Sequence, residues 1–100
     1  MKAFKIDTDG VTEVEGELDE ILDPGTSWDY ASIDDMHDVV VEDGSVFTSI
    51  ATATIGPLTG IPLPAYIFGL HDGETVGATL DVDQVRAIFT LEPFPVNLTE

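Results

Sequence analysis

The sequence of 100 residues predicts an α+β fold: a mainly antiparallel sheet built from hairpins, with one or two short helices packed on it. Three observations carry that expectation. Asp9-Gly10, Asp43-Gly44 and Asp72-Gly73 each lie between runs rich in β-branched residues. Gly takes positive φ without a Cβ clash and Asp tolerates it, so such pairs are strong hairpin signals. In residues 75–82, Val76, Ala78, Leu80 and Val82 alternate with Thr75, Gly77, Thr79 and Asp81, the period of a half-buried strand. Hydrophobic residues make up 43% of the chain and aromatics 8%, a core-forming content that disordered acidic chains lack. One domain spanning residues 1–100 is expected at this length.

The elements follow in order. Residues 3–6 and 11–15 form the first hairpin, with Phe4 and Ile6 on one face and Lys5 and Asp7 on the other. A short helix covers residues 17–22, with Leu18, Ile21 and Leu22 as its apolar stripe and Pro24-Gly25 as its stop. Trp28 and Tyr30 follow between acidic stretches, either as an interface anchor or as a plug over the core. Ser32 is placed to cap one helical turn over residues 34–37.

Residues 39–41 pair with 46–50 in the second hairpin. The run 46–55 reads as a central strand or as two strands with a bend. Residues 56–64 hold three prolines and two glycines and no charge, and read as a stiff loop. Its Leu58, Ile61 and Leu63 either close the core or form a patch for a partner or a second copy of the chain. The third hairpin joins residues 66–70 to 75–80. A helix then begins at Asp81 or Asp83 and runs to about Thr90 on a stripe of Val82, Val85, Ile88 and Phe89. Glu92-Pro93 ends it.

Charge is the strongest functional clue. Twenty acidic residues face three basic ones, Lys2, Lys5 and Arg86, for a net charge of -17. A small domain needs only about 2 to 8 charges for solubility. Fourteen of the acids lie between Asp7 and Asp43 with no Lys or Arg among them, while residues 44–71 carry no charged side chain. Direct contact with nucleic acid or anionic lipid is disfavoured, because phosphates need more cations than three. A partner with a basic face would instead be attracted and steered.

Other chemistry is weakly encoded. There is no cysteine, which excludes disulfides and thiolate chemistry and fits a reducing, cytoplasmic setting. Residues 1–7 show no secretory leader, and the uncharged run 44–71 is too rich in Pro, Gly and hydroxyls for a membrane span. No Gly-rich phosphate cradle and no nucleophile elbow is present, so neither a cofactor nor a catalytic residue is assigned. Asp7-Thr8-Asp9-Gly10 has Gly at the wrong place for a calcium loop and reads as a turn.

Asp34, His37 and Asp38 would share a face if helical, and so form a candidate divalent-cation set. The same stretch, with Asp35, Glu42, Asp43, Trp28 and Tyr30, is the candidate partner-binding set. The resulting expectation is an acidic interaction protein that binds a basic surface on another protein, with mimicry of nucleic acid toward a nuclease or DNA-binding protein as its sharpest form. Two alternatives stand beside it. One is a halophilic domain whose acidity is a high-salt adaptation, and the other is a small metal-binding or hydrolytic enzyme.

Overall fold

The computed structural model describes residues 1–45 and 51–92. Among them the chain runs β1 (Lys2–Asp7), β2 (Gly10–Glu15), α1 (Leu18–Ile21), β3 (Trp28–Asp34), β4 (His37–Glu42), β5 (Thr52–Ile55), β6 (Leu58–Pro62), β7 (Ala65–His71), β8 (Glu74–Val76), α2 (Val82–Ile88) and β9 (Phe89–Glu92). The α+β expectation holds at this level: mostly antiparallel sheet, with two short helices.

Six strands form the larger sheet in the order β2-β1-β7-β4-β3, with β8 also paired to β7. Strand β7 is central because it is apolar on both faces. Ile67 and Ala65 pack on one side and Phe68 on the other, all fully buried. Strand β8 continues the edge of β7 that β1 begins to cover: Phe4 to Ile6 pair with Ile67 to Ala65, and Val76 pairs with Gly69. The crossing there is tight. A Cβ on Gly69 would overlap the Gly77 carbonyl oxygen, so only glycine lets the two backbones approach.

The smaller sheet has the order β6-β5-β9. It packs with α2 against one face of the larger sheet, around Phe4, Ile6, Val39, Ile55, Ile67 and Val85. Helix α1 covers part of the opposite face, around Ala3, Leu22, Val40 and Phe68. The larger sheet is therefore the middle layer of three.

The first and third hairpins form as expected, by different turn chemistry. Asp72 and Gly73 both take positive φ (52° and 78°), as a two-residue turn of the mirror-image type requires. In the first hairpin the connecting residues are Thr8 and Asp9, and only Gly10 has positive φ (119°). Asp7 stabilises that turn by accepting the Asp9 N–H at 2.9 Å. The third hairpin's second strand ends at Val76, before the expected residue 80. The second hairpin's partner, residues 46–50, lies outside the described residues.

Helix α1 carries the expected stripe, with Leu22 buried and Leu18 and Ile21 packed beside it. Helix α2 is capped by Asp81, which accepts the Gln84 N–H while Gln84 accepts the Asp81 N–H, each at 2.8 Å.

Three sequence expectations are corrected. The helical turn over residues 34–37 is a β-hairpin turn: Asp35 and Met36 link β3 to β4, and the Asp34 carboxylate accepts the Met36 N–H at 2.7 Å. The loop over residues 56–64 is largely strand β6, hairpinned to β5 through Gly56-Pro57, with Gly56 at φ 58°. Its Leu58, Ile61 and Leu63 belong to the core. The last helix stops at Ile88, and Phe89–Glu92 pair with β5 instead. The Glu92 carboxylate then ties that sheet together, accepting from the Thr52 and Thr54 hydroxyls and the Gly60 N–H.

Candidate functional site

The partner-binding residues expected from sequence all fall on the β3–β4 hairpin, and the structure divides them. Strand β3 lies at an edge of the larger sheet. Trp28 pairs with Glu42 and Tyr30 with Val40, so Trp28, Tyr30 and Glu42 stand on the face that α1 covers. Asp29, opposite Val41, points to the other face. The edge thus presents carboxylates to both sides.

His37 and Asp38 do not reach that surface. His37 is 3% exposed and Asp38 9%. The His37 Nε2 accepts the Thr79 N–H at 3.2 Å, so the ring proton resides on Nδ1 and faces the Asp34 carboxylate at 3.2 Å. Asp38 accepts the Ser32 hydroxyl across the strand pair at 3.1 Å. A register shift between Ser32 and Asp34 brings Asp34 to His37, while strand alternation turns Asp38 the other way. The triad that a helix would have gathered is therefore split. Among the described residues, no group of three His, Asp or Glu is placed to hold a metal ion. Asp34 remains half-exposed at the hairpin tip, and Asp35 and Met36 beside it are exposed. The Met36 N–H, reinforced by His37, holds the Asp34 carboxyl below its ordinary range, against a smaller opposing effect of burial.

Trp28 is fixed at two points. Its indole N–H donates to the Asp23 carbonyl at 2.9 Å, and its ring meets Tyr66 edge-on, with centroids 6.1 Å apart. Tyr30, two residues on, is 50% exposed. Between this pair and α1 runs an open groove of about 340 Å³. Leu18, Leu22 and Pro24 supply apolar lining, and Glu17, Asp19 and Asp23 supply acid groups. No Lys, Arg or His lines it. A second cavity of about 350 Å³ on the other flank of α1 differs in kind, since Lys5 sits there with Glu15 and Glu20.

Sequence reading missed Glu17, Asp19, Asp23 and Asp29 as members of this surface. Asp29 had a local signal only for the sheet edge, because alternation with Trp28 and Tyr30 sets it on the opposite face of β3. The other three had none, since only the return of β3 beneath α1 brings them to the aromatic pair.

The acids here are not neutralised within the chain. Among the described residues, ion pairs join the N-terminus to Glu15 and Arg86 to Asp83, and the rings of His37 and His71 contact the carboxylates of Asp34 and Asp72. None involves Glu17, Asp19, Asp23, Asp29, Glu42 or Asp43. Repulsion is instead visible at the hairpin's open end, where the Asp43 carboxylate pushes the exposed Asp29 carboxyl above its ordinary range. Backbone amides engage the carboxylates of Asp7, Asp23, Asp34, Asp81 and Glu92, and Glu17 and Glu20 cap the start of α1 reciprocally.

Among the described residues, no helix is long and apolar enough to cross a membrane. Comparison with protein-family models, with curated proteins and with solved structures gives no match.

Proposed function

We propose that this chain is an acidic interaction protein that binds a basic surface on another protein through the α1–β3–β4 region. One observation carries the reading: the aromatic groove beside Trp28 and Tyr30 is bordered by carboxylates that, among the described residues, form no ion pair. The fixed Trp28 ring, the exposed Tyr30 and apolar lining supply contact area, and the acids supply steering and specificity. Asp29, Glu42 and Asp43 extend the negative surface along the sheet edge, whereas His37 and Asp38 support the hairpin from inside. Mimicry of nucleic acid toward a nuclease or DNA-binding protein is the narrower form of this proposal.

Affinity capture from the native cell extract, at low and at moderate salt, tests it. The wild-type protein is expected to retain a basic protein that elutes as salt rises. A triple variant, Asp29→Asn, Glu42→Gln, Asp43→Asn, is expected to retain far less. Duplex DNA competes for the captured partner if the narrower form holds. Retention of neutral or acidic proteins alone, or equal retention by the variant, overturns the reading.

A second reading has its own support. Exposed acids also lie away from the groove, on Glu15, Asp72 and Asp83, which are 73%, 88% and 89% exposed. Acidity on every side is the pattern of a protein adapted to concentrated salt, where screening removes the self-repulsion.

A further inference from the structure

We infer that the groove between α1 and β3 is a receptor for an arginine side chain of the basic partner. This inference rests on the interaction reading above and names the chemistry of the contact. Three features converge. The lining brings together aromatic and apolar side chains, Trp28, Tyr30 and Leu22, and acidic ones, Glu17, Asp19 and Asp23. A guanidinium suits both kinds of lining, because its plane stacks on aromatic rings and its fork of N–H donors matches a carboxylate. A lysine ammonium is more strongly hydrated and gains less from the aromatic lining.

The volume is the second feature. About 340 Å³ lies at the small end of the range for ligand pockets, enough for one long side chain and its flanking backbone. Preorganisation is the third. The Trp28 ring is already held by Asp23 and Tyr66, and Leu22 is 4% exposed, so binding need not order that part of the lining. The cavity on the far flank of α1 lacks this character, since Lys5 occupies its lining and would repel a second cation.

Trp28 is the only tryptophan, so its emission reports on this groove directly. The experiment titrates the full-length protein with an oligoarginine peptide and with an oligolysine peptide of equal length, following both Trp28 fluorescence and heat of binding. The arginine peptide is expected to change the Trp28 emission and to bind roughly tenfold more tightly than the lysine peptide, the scale of one stacked cation. Two groove variants, Tyr30→Ala and the pair Glu17→Gln with Asp19→Asn, are each expected to reduce that preference. Both alter exposed or rim positions, and far-ultraviolet circular dichroism checks that each variant is folded.

Three outcomes overturn the inference in distinguishable ways. Equal affinity for both peptides with unchanged Trp28 emission rejects the groove but leaves the wider acidic surface as the binding region. Binding that survives the groove variants yet fails in the Asp29, Glu42 and Asp43 triple variant moves the contact to the sheet edge. Absence of heat and fluorescence change with either peptide rejects the groove and the interaction reading together.

Discussion

Three carboxylates show how position, rather than composition, sets the chemistry of an acid in this chain. Glu92 accepts from the Thr54 hydroxyl, the Gly60 N–H and the Thr52 hydroxyl, and these donors hold its carboxyl below the ordinary range. A lowered folded-state value means that the contribution is complete above the unfolded value and is lost as pH falls through the folded one. Glu92→Gln is therefore expected to lower the thermal midpoint at neutral pH, with the difference from wild type shrinking in acid. Calorimetry across that range checks it. Asp29 has the opposite sign. The Asp43 charge raises its value, so the ionised pair costs stability at neutral pH and the cost fades as pH falls through the raised value. Asp29→Asn is expected to raise the midpoint at neutral pH while weakening binding of the proposed basic partner, a joint outcome that separates a binding acid from a structural one. Denaturation and binding measured on the same preparation read both. Asp34 is a hairpin-turn acid, engaged by Met36 and His37, and these bonds belong to the fold.

Elements differed in how openly the sequence announced them. The Asp72-Gly73 turn was legible because both central residues need positive φ and only a few residue types accept that. The β3–β4 turn was not. Neither Asp35 nor Met36 has positive φ, so no glycine marks it, and the acid spacing resembled a helical face. Strand β6 hid behind Pro57, Pro62 and Gly60, because prolines at strand ends and a glycine at a register shift look like loop signals taken singly. Phe89 continued the helical stripe in sequence, yet Phe89–Glu92 pair with β5, a partner far back along the chain that no local signal announces. Helix α2 was clear at its start, because the reciprocal bonds of Asp81 and Gln84 are local. Asp81→Ala is expected to cost about 1 kcal/mol, measured by urea denaturation. An unchanged midpoint would show that packing of Val85 alone holds the helix.

For the whole molecule the open quantity is why so much like charge is tolerated. Salt separates the two readings. At about 1 M salt the Debye length falls to about 3 Å, and long-range repulsion between surface acids is largely removed. If the acidity serves a partner, the protein is expected to unfold cooperatively in dilute buffer, with a midpoint that rises only modestly as salt is added. If it serves a saline environment, the chain is expected to be unfolded below roughly 0.5 M salt. A thermal melt series in potassium chloride distinguishes them. The candidate site also belongs to this scale. Its groove acids come from α1 and the residues flanking it, its aromatics and Asp29 from β3, and Glu42 and Asp43 from the end of β4 and the residue after it, so three separate stretches meet at one edge of the middle layer.

By itself the sequence determined the charge, the turns that demand positive φ, the capped helix and the apolar positions of the strands. These depend on single residues or on neighbours a few positions apart. Only the tertiary structure decided that His37 and Asp38 turn inward, that residues 58–62 are a strand, and that Glu17, Asp19 and Asp23 stand beside Trp28 and Tyr30. The reason is that strand pairing and layer packing join residues distant along the chain, and which backbone groups find partners depends on what arrives from elsewhere.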